Sequence, residues 1–588
     1  MAQKIITDAI RQAVKKLIAS QWLSSDDPFL LFDLESALQK ALRFKTSAAT
    51  CFSQPEIAYS YKSNSLAMWC QALSKQGFSA EVASMDEMRL ALQDGFSPDH
   101  IIFDGPLKQD AELRFAVEQG IRIQIDNAEE VTRLHTICRE CQIPCAIYVR
   151  LSHFYDDNLS RFGLNEGEFI TLYQTQLRDN PLIQFKGFHL HVGSNLASTD
   201  KLCKTLQDYA PLLAVYMPEQ GHLDLGSGFP SDSFSSDPKL PTPDPELFFA
   251  SIKARLQAIA GEAYQNWRII FEPGRHFVED AGYWIGKIIS SKPRYHANVL
   301  QTNLGINWIP SVRNWHHSIT PLAATSPNAA SENQIIAGFN CFEGDCLFPS
   351  VKQYRFAVGD YFIIRGCGAY DLQTANLWTR KQVSVIALCQ HELRLCRLPQ
   401  VLEEFRARHL MHGQESLCVN ATLTLFPADW RFSNALFQVI QSNKTHFSVF
   451  MAWPAKVNHV KDTADFLNRC ALSHQTGTSK TYVIVVESQA VGVLSLNSID
   501  AANKTAYVGY WLDQNQQGKG IITHALQEVM RHYAQQGSVR RFVIKCATMN
   551  ASSNRVAVRC GFTLEGVLKH AEYLNGVFHD QNSYAKII

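Results

Sequence analysis

The composition of the chain is typical of a globular protein with more than one domain. It has 588 residues, of which 46% are hydrophobic and 19% are charged, and its 55 basic and 55 acidic residues give a formal net charge of zero. A single hydrophobic core does not extend over so many residues, so we expect two to four domains. The zero net charge argues against nucleic acid as a general partner.

The cysteines and the N-terminus argue against three further classes of protein. The fifteen cysteines are scattered, and Cys138 and Cys141 have no second pair that would complete a structural zinc site. We therefore expect no metal, and reduced thiols as in a cytoplasmic protein. Residues 1–23 are amphipathic and lack the apolar core of a signal peptide. No run reaches the ~18–20 apolar residues of a membrane span.

From about residue 57 to residue 289, short apolar runs alternate with helical stretches such as 66–76 and 111–119. Such alternation predicts parallel strands joined by helical crossovers, hence an α/β barrel or a doubly wound sheet. Polar candidate residues stand at the carboxyl ends of the strands, as barrel enzymes require. The predicted strands are 57–61, 101–103, 121–125, 145–151, 185–191, 222–225 and 268–271.

The pattern changes near residue 292. The runs 355–358, 361–365 and 383–387 predict antiparallel β structure. Residues 400–413 are helical and charged, which suits either a linker or the last helix of a domain. We expect four segments: an α/β barrel at 28–290, a β domain at 291–397 that includes part of 1–50, a linker at 398–416, and an α+β domain at 417–588.

One lysine, Lys62, follows the first predicted strand of the alternating region. A lysine at the end of a buried strand can form a Schiff base with an aldehyde cofactor, because burial lowers its pKa and leaves the amine neutral. On its own, such a lysine is more often a surface residue whose stem covers apolar atoms. Matching sites downstream, in the order that one pyridoxal phosphate pocket would need, favour the cofactor.

Two of these sites suit a ring and its phosphate. His191 can lie flat against a pyridine ring and Ser194 can reach a phosphate, although a hydrogen-bonded barrel histidine is the alternative. In the run at 224–230, small residues let backbone N–H groups approach a phosphate, although most glycine-rich turns are only turns. The small residues of this run are Gly226, Ser227 and Gly228.

Two further sites supply charge and a proton. Glu272 can face a pyridine nitrogen and keep it protonated, which makes the ring an electron sink. Three residues on, Arg275 can hold a phosphate bidentately, although the same turn could be a surface ion pair. Cys341 in the run at 338–345 can donate a proton, although an inert buried cysteine is commoner. Tyr370 follows in the run at 368–370.

Together these residues resemble the fold-type III pyridoxal phosphate decarboxylases, the family of ornithine, diaminopimelate and arginine decarboxylases, over about residues 28–395. The resemblance implies an α/β barrel followed by a β domain, and a homodimer in which the partner supplies the cysteine segment. It implies that Lys62 forms the Schiff base, that His191 stacks on the ring and that Glu272 pairs with the ring nitrogen. It further implies that Cys341 returns a proton to the carbon that loses CO2. The implied phosphate ligands are Ser194, Gly226, Ser227, Gly228 and Arg275, with Tyr370 lining the cofactor side of the pocket and Asp345 the substrate side.

The chain departs from this family where the distal end of the substrate is held. Ornithine-type members carry an acidic residue directly after the cysteine, where this chain has Phe342. Leu304 stands where an aspartate is expected, and Ile309 stands where diaminopimelate-type members have an arginine before a proline. Neither the usual diamine clamp nor the usual carboxylate clamp is therefore intact. The candidate replacements for substrate binding are Glu343, Asp371 and Arg313.

The last third of the chain carries a second pattern. An alternating strand at 507–512, a glycine-rich loop at 513–520 and a helix at 521–533 follow one another. Such a loop can cradle a pyrophosphate, because N–H groups and the helix N-terminus face the anion, although a bare turn is the alternative. It is not a nucleotide P-loop, since Ile521 follows Gly520 directly.

This pattern resembles the GNAT N-acetyltransferases, most closely the group that acetylates ribosomal-protein N-termini and the related polyamine enzymes, over about residues 417–588. The resemblance rests on the sequence runs Gly-Tyr-Trp-Leu, Gln-Gly-Lys-Gly, Asn-x-x-Ser and Gly-Phe-x-x-Glu-Gly. Asn515 is a departure, because many members have Gln or Arg at this position before the loop. The resemblance implies acetyl-CoA as co-substrate and Ser553 as proton donor to the leaving thiolate. Glu572 would take the amine proton, with a solvated surface carboxylate equally open. The implied CoA contacts are Gln517, Gly518, Lys519, Gly520, Ile521 and Asn550.

The two resemblances favour a bifunctional enzyme. Its barrel would decarboxylate a basic amino acid of the ornithine or lysine type, and its GNAT part would acetylate the resulting amine in polyamine or siderophore-type biosynthesis. The missing clamps leave open a larger conjugated diamino acid, with the GNAT part acting on a separate amine. Two other hypotheses are a GNAT enzyme for protein N-termini with a PLP-binding but non-catalytic barrel, and a racemase.

Overall fold

A computed structural model describes residues 6–20, 27–155, 158–232, 244–315, 317–323, 332–398 and 416–588. The chain divides into two compact units, residues 1–400 and 401–588. The expected linker at 398–416 lies almost wholly outside the described residues. None of the helices within the described ranges has the length and apolar character that crossing a membrane requires.

The first unit contains nineteen described strands and twelve described α-helices, with short turns of 3-10 helix and one π-helical turn (Tyr173–Leu177) between them. The strands are β1 (Phe29–Asp33), β2 (Pro55–Ser60), β3 (Ser79–Val82), β4 (Ile101–Phe103), β5 (Arg122–Ile125), β6 (Cys145–Leu151), β7 (Phe154–Tyr155), β8 (Asn158–Leu159), β9 (Ile183–Leu190), β10 (His222–Asp224), β11 (Arg268–Phe271), β12 (Gly282–Arg294), β13 (Ala297–Thr302), β14 (Ile319–Pro321), β15 (Asn333–Ala337), β16 (Cys346–Val351), β17 (Tyr361–Arg365), β18 (Val385–Cys389) and β19 (Glu392–Arg397). The helices are α1 (Asp8–Ala19), α2 (Leu34–Cys51), α3 (Ala67–Lys75), α4 (Met85–Gln93), α5 (Asp110–Gln119), α6 (Ala128–Cys141), α7 (Glu166–Leu172), α8 (Asp200–Asp208), α9 (Ala210–Tyr216), α10 (Pro245–Ala260), α11 (Arg275–Val278) and α12 (Asp371–Thr374).

Eight parallel strands close into a barrel in the order β10-β11-β2-β3-β4-β5-β6-β9. This confirms the α/β barrel and excludes the doubly wound sheet. Strand β3 was not predicted, because it has only four residues and the polar Glu81 lies among them. Ala80 and Val82 belong to the buried cluster beneath the helices, so Glu81 faces the barrel interior by strand alternation.

A second sheet carries the β domain, in the order β16-β15-β13-β12-β1-β18-β19, with β17 pairing with β12 and β14. Strand β1 belongs to this sheet, and β12 runs across the boundary expected between residues 290 and 291. The predicted strand at 355–358 is wrong. Side chains satisfy its backbone instead, since the N–H groups of Phe356 and Ala357 donate to Gln334 Oε1 at 2.9 Å and Asp360 Oδ2 at 2.8 Å.

An aromatic cluster fixes the short helix α11 under the barrel mouth. Phe277 is fully buried, and its ring centroid lies 5.4 Å from that of Phe44, 6.3 Å from that of Tyr59 and 6.4 Å from that of Trp69. Packed aromatic rings of this kind resist rotation because every displacement opens a void. The cluster therefore holds Arg275, two residues earlier on α11, in a defined position.

The second unit is a mixed α+β domain, as predicted. Its strands are β20 (Leu417–Cys418), β21 (Leu423–Pro427), β22 (Lys480–Val486), β23 (Gln489–Asp500), β24 (Thr505–Leu512), β25 (Arg541–Ala547), β26 (Thr563–Leu574) and β27 (Val577–Ile587). Its helices are α13 (Ser433–Ser442), α14 (Lys444–Ser448), α15 (Val460–Thr476), α16 (Ile521–Gln535) and α17 (Ala551–Arg559). The sheet order is β20-β21-β22-β23-β24-β25-β27-β26.

A cleft opens in the middle of this sheet. Strands β24 and β25 pair in parallel only from Thr505 to Val508, opposite 541–544, and both continue beyond the paired region. Residues 509–512 and 545–547 therefore diverge and leave backbone groups free to meet a ligand. The strand β24, the loop and the helix α16 follow in the predicted order.

Candidate active sites

Lys62 lies in the 3-10 turn Tyr61–Ser63 directly after β2, and its ammonium meets a carboxylate of the neighbouring strand. Nζ is 2.7 Å from each carboxylate oxygen of Glu81. The side chain of Lys62 is 48% exposed and lies at the open mouth of the barrel. Burial by itself would lower the pKa of Lys62, but Glu81, Asp104 and Glu272 outweigh it and raise that pKa. The expected lowering of the Lys62 pKa is therefore wrong.

Two buried carboxyl groups lie side by side at the bottom of the mouth. Gln124 Nε2 donates to Asp224 Oδ2 at 2.6 Å and to Glu272 Oε1 at 3.4 Å. Burial and the neighbouring Asp224 raise the pKa of Glu272 well above its usual range, and burial raises the pKa of Asp224 to about 7. The pair therefore retains a proton at neutral pH. A cationic ring nitrogen facing Glu272 would favour its ionised form, so the pair fits a pyridinium ring.

Two histidines of one strand end converge on Glu272. One ligand-type atom from each of His189, His191 and Glu272 lies within 4.8 Å of the other two. His189 Nε2 is 3.6 Å from Glu272 and its Nδ1 is 3.8 Å from Asp104, and within the described ranges neither ring nitrogen has a hydrogen-bond partner. Burial lowers the pKa of His191 to about 3, which keeps its ring neutral and able to lie against a cofactor ring.

His189 was not among the predicted site residues. The signal was present, however, because residues two apart on a strand face the same side, and His189 precedes His191 by two. A buried histidine whose ring nitrogens lack partners is costly unless a ligand supplies them. This orphaned ring therefore supports a polar ligand between the histidines and Glu272.

The glycine-rich turn lies against the histidine loop and leaves no room for side chains. Gly226 and Gly228 have φ values of 57° and 90°. A Cβ at Gly226 would lie 2.6 Å from His191 Nδ1, and one at Gly228 would lie 2.5 Å from the carbonyl oxygen of Gly193. Such a turn presents backbone N–H groups closely, which fits a phosphate.

The two loops are also joined by hydrogen bonds. Leu196 N–H donates to the carbonyl oxygen of Gly228 at 2.7 Å, and Ser227 N–H donates to His191 Nδ1 at 3.5 Å. Ser194, in the same loop as His191, is exposed. The predicted ring-binding and phosphate-binding residues therefore belong to one continuous surface.

Arg275 joins this surface to the Lys62 turn. Its Nη1 donates to Glu279 Oε2 at 2.8 Å, and its guanidinium carbon lies 4.3 Å from the ring centroid of Trp315 and 4.9 Å from that of Tyr370. Tyr370 N–H donates at 2.7 Å to the carbonyl oxygen of Ser63, the residue after Lys62. Neither Trp315 nor Glu279 was predicted, because Trp315 lies far from Arg275 in the chain and Glu279 belongs to no motif.

The Cys341 loop is held from inside by Asp345. Cys341 is exposed, whereas Asp345 is buried. The carboxylate of Asp345 accepts from the N–H of Ile306 at 2.9 Å, from the N–H of Asn340 at 2.7 Å and from Asn340 Nδ2 at 2.8 Å. The expected substrate-binding role of Asp345 is therefore corrected: its Oδ2 closes the loop that presents Cys341, and its Oδ1 binds the N–H of Ile306.

The other candidate clamps have different surroundings. Asp371 is fully buried, its carboxyl group accepts from the N–H of Ser311 at 3.1 Å, and it lies 2.9 Å from the hydroxyl oxygen of Ser311, so it does not face a substrate. This corrects its predicted role as well. Arg313 and Glu343 are exposed. The guanidinium carbon of Arg313 lies 5.6 Å from the ring centroid of Phe342, so the position that follows Cys341 faces a cation.

In the second unit, the cleft between β24 and β25 is a cavity of about 1090 Å³. Gly520 caps α16 with a φ of 74°, and the glycine loop leads into the cavity. Lys519 is not among the residues that line the cavity, and its Nζ donates to Gln516 Oε1 at 2.8 Å. The predicted residues that line it are Gln517, Gly518, Gly520, Ile521, Asn550, Ser553 and Glu572.

Ser553 shares a hydrogen bond with a tyrosine that was not predicted as a site residue. Its Oγ lies 2.8 Å from the hydroxyl oxygen of Tyr510, and its N–H donates to Asn550 Oδ1 at 3.1 Å. Burial raises the pKa of Tyr510, so its hydroxyl keeps its proton. Tyr510 can therefore donate to Ser553 while the hydroxyl of Ser553 donates into the cavity. Glu572, on the cavity wall, accepts from Gln581 Nε2 at 2.9 Å.

Aromatic side chains form another wall of the same cavity. The ring centroid of Trp511 lies 5.3 Å from that of Phe447 and 5.8 Å from that of Trp453. Phe466 also lines the cavity and is 37% exposed. Aromatic groups that remain exposed in a cavity commonly contact the apolar part of a ligand.

Comparisons with known proteins agree with the two sites. The family model described as pyridoxal-dependent decarboxylase, pyridoxal binding domain, matches residues 38–279, and that described as acetyltransferase (GNAT) domain matches residues 423–563. A ribosomal-protein-serine acetyltransferase of Escherichia coli is 45% identical over 174 residues, which are 30% of this chain and 97% of that protein.

Two diaminopimelate decarboxylases match the first unit. That of Bacillus methanolicus is 27% identical over 378 residues, covering 60% of this chain and 85% of that protein. The crystal structure of the Helicobacter pylori enzyme, complexed with L-lysine, is 21% identical, covers 68% of this chain and 100% of its own, and superposes with a TM-score of 0.59. This last likeness shows the fold.

Proposed function

The chain belongs to the pyridoxal-dependent decarboxylases through its first unit and to the GNAT acetyltransferases through its second, and on that basis we propose that it turns an amino acid into an amine and then acetylates that amine. Pyridoxal phosphate and acetyl-CoA are the cofactor and co-substrate of these families. The observation that carries the proposal is the convergence of Lys62, Glu272 and His191 at one barrel mouth.

The residues of the barrel have distinct tasks in this scheme. When bound, pyridoxal phosphate draws electrons from the α-carbon as CO2 leaves. Lys62 would hold its aldehyde end, and Glu272 its ring nitrogen. When Lys62 is protonated and free of the cofactor, its ammonium donates to Glu81 Oε1 at 2.7 Å. Cys341 would deliver a proton to the α-carbon from an exposed loop.

The Cys341 step depends on a homodimer in this proposal. Cys341 lies on an exposed loop that Asp345 closes from inside. An exposed thiol can enter the mouth of a partner's barrel without unfolding its own loop. A homodimer of this chain in the cytoplasm is therefore part of the proposal.

The second activity uses the cleft of the GNAT unit. The backbone N–H groups at 517–521 would bind the pyrophosphate of acetyl-CoA at the N-terminus of α16. Glu572 would take a proton from the acceptor amine, and the hydroxyl of Ser553, supported by Tyr510, would protonate the departing thiolate. Joining both activities in one chain raises the local concentration of the amine at the second site.

Two assays test the pairing of sites and reactions. Release of CO2 reports the first activity, and free CoA thiol reports the second. Lys62→Ala should abolish CO2 release and keep thiol release with a supplied amine, whereas Ser553→Ala should do the opposite, with acetyl transfer lowered about 100-fold. Loss of both activities in a folded single variant would contradict separate sites.

The proposed substrate is an amino acid of a polyamine or siderophore-type route, with a basic ornithine-like or lysine-like one as the simplest case. A second candidate is a larger conjugated diamino acid, and a specific observation favours it. Asp345 and Asp371 are engaged inside the protein, and Arg313 lies beside Phe342. A distal ammonium would meet a like charge there, whereas a neutral or anionic conjugate would not.

The aromatic wall of the second cavity bears on the acceptor. Phe447, Trp453 and Phe466 suit an amine attached to a flat apolar group better than a short diamine. If the GNAT unit acts on such a separate amine, the supplied amine, and not the decarboxylation product, should give the higher kcat/KM. Comparing both amines with purified protein decides between these acceptors.

A further inference from the structure

A chain of hydrogen bonds begins at the buried carboxyl group of Asp371, directly after Tyr370. The carboxyl group of Asp371 contacts the hydroxyl oxygen of Ser311 at 2.9 Å, and that oxygen is also 2.9 Å from His317 Nε2. His317 Nδ1 is 2.9 Å from the carbonyl oxygen of Arg365. Four polar groups are thus connected in series, from the buried Asp371 to the half-buried His317 and the carbonyl group of Arg365.

The protons of this chain follow from its end groups. The carbonyl oxygen of Arg365 can only accept, so His317 Nδ1 carries a hydrogen. If His317 is neutral, its Nε2 accepts from the hydroxyl of Ser311, and the oxygen of Ser311 accepts from a protonated Asp371. If His317 is charged, each hydrogen lies one position further along and Asp371 is ionised. The two arrangements hold the same number of protons.

Burial selects the neutral arrangement. Burial raises the pKa of Asp371 to about 8, against the hydrogen bonds from Ser311, which lower it. Among the residues that the structure describes, the other charged or titratable groups that act on Asp371 are Glu279, which raises its pKa, Arg275, which lowers it, and the buried thiol of Cys367. At neutral pH Asp371 is therefore chiefly an acid that donates to Ser311.

The chain ties together the two aromatic residues that flank Arg275. Ser311 lies in the 3-10 turn Pro310–Arg313, which leads to Trp315, and Asp371 begins α12 next to Tyr370. The rings of Trp315 and Tyr370 lie 4.3 and 4.9 Å from the guanidinium carbon of Arg275. A shift of either segment would therefore change the surroundings of the guanidinium.

We propose that Asp371 is a positioning residue that, in its protonated form, holds Trp315 and Tyr370 against Arg275 through Ser311 and His317, and so preorganises the phosphate end of the cofactor site. The proposal rests on the proposed decarboxylase function. It assigns to Asp371 a task that does not require contact with cofactor or substrate. The ionised form would take the single hydroxyl hydrogen of Ser311 and leave Nε2 of a neutral His317 without a donor, so the link from Ser311 to His317 would be lost. Affinity for the cofactor should therefore fall as pH rises through about 8.

The decisive variant is Asp371→Asn, because an amide reproduces the protonated acid: its N–H group donates to Ser311 Oγ and its oxygen accepts from Ser311 N–H. Cofactor affinity would be measured by titrating cofactor-free full-length protein with pyridoxal phosphate and following the visible absorbance band at a series of pH values. Wild-type affinity should fall by up to tenfold for each pH unit above about 8, relative to the Asn variant. Titration of Lys62 and of the cofactor affects both proteins alike and cancels in the ratio.

Ser311→Ala is a second test of the same chain of hydrogen bonds, and Asp99→Asn at an exposed position is the control. Ser311→Ala should weaken cofactor binding at every pH, and Asp99→Asn, which removes a carboxylate that is 75% exposed, should match the wild type. A constant ratio between wild type and Asp371→Asn across pH would overturn the inference and leave the proposed function intact. A wild-type protein that binds no pyridoxal phosphate would overturn both.

Discussion

Glu81 holds the ammonium of Lys62 with both carboxylate oxygens at 2.7 Å, although neither residue is near the other in sequence. An amine must lose a proton before it can attack an aldehyde, and Glu81 favours the proton. The same contact gives Lys62 a defined position when it is not bound to the cofactor. The Glu81 carboxylate therefore sets the pH range over which Lys62 can capture the cofactor.

Glu81→Gln should extend cofactor capture to lower pH. Removing an adjacent carboxylate lowers the pKa of a lysine by about one to three units, so more neutral amine is present at a given pH. The measurement is the rate at which the visible absorbance band forms after pyridoxal phosphate is mixed with cofactor-free protein, as a function of pH. Lys62→Ala should form no band, and an unchanged pH midpoint in Glu81→Gln would show that Glu81 does not control Lys62.

Glu272→Ala should lower decarboxylation about 100- to 1,000-fold, because the ring nitrogen would lose the carboxylate that stabilises its charge. Acetylation of a supplied amine should be unchanged, since that reaction belongs to the second unit. Glu272→Gln keeps the size and shape of the side chain but removes its charge, and it should lower decarboxylation to a similar degree. Equal loss of both activities would contradict two independent sites.

Cys341→Ala should slow decarboxylation or misdirect proton return, and its defect should be repaired in mixed dimers. If each site combines Lys62 of one subunit with Cys341 of the other, an equal mixture of Lys62→Ala and Cys341→Ala proteins contains heterodimers with one intact site. After exchange of subunits, about a quarter of wild-type activity should return. Activity no greater than the mean of the two variants would argue that both residues act within one chain.

Asp224→Asn should change how the stability of the cofactor-free protein depends on pH. The pKa of Asp224 is raised from 3.8 to about 7, so its contribution to stability is complete at low pH and is lost as pH rises through about 7. The loss is roughly 1.4 kcal/mol for each unit of pKa shift. The melting temperature of the wild type should therefore fall between acid and neutral pH more steeply than that of Asp224→Asn. If the melting temperatures of the two proteins changed in parallel with pH, Asp224 would not be the group that holds the proton.

Motif order and periodicity were sufficient to predict the barrel, and they placed three of the proposed site residues at the ends of its strands. Alternation of short strands and helices indicates a barrel, and Lys62, His191 and Glu272 each follow a strand, so the closed barrel brings them to one mouth. The fold of the second unit could also be predicted, because the strand β24, the glycine-rich loop and the helix α16 are contiguous in the chain.

The errors concern residues whose roles depend on distant partners. Asp345 and Asp371 were expected to bind substrate, but sequence does not reveal that their oxygens accept from the N–H groups of Ile306 and Ser311. Glu81 was missed because it lies in a strand of four residues that has no clear apolar pattern. The pKa of Lys62 was predicted in the wrong direction because its carboxylate neighbours are far away in the chain: Glu81 lies in β3, Asp104 directly follows β4 and Glu272 directly follows β11.

The most direct test of the account is mass spectrometry of the products formed by purified full-length protein with pyridoxal phosphate. The panel would contain ornithine, lysine, diaminobutyrate, diaminopropionate, diaminopimelate and conjugated diamino acids, each with and without acetyl-CoA. The account predicts that one member loses CO2 to give an amine and that acetyl-CoA converts this amine to its acetylated form. Recovery of every amino acid unchanged, from protein that holds pyridoxal phosphate and acetylates other amines, would contradict it.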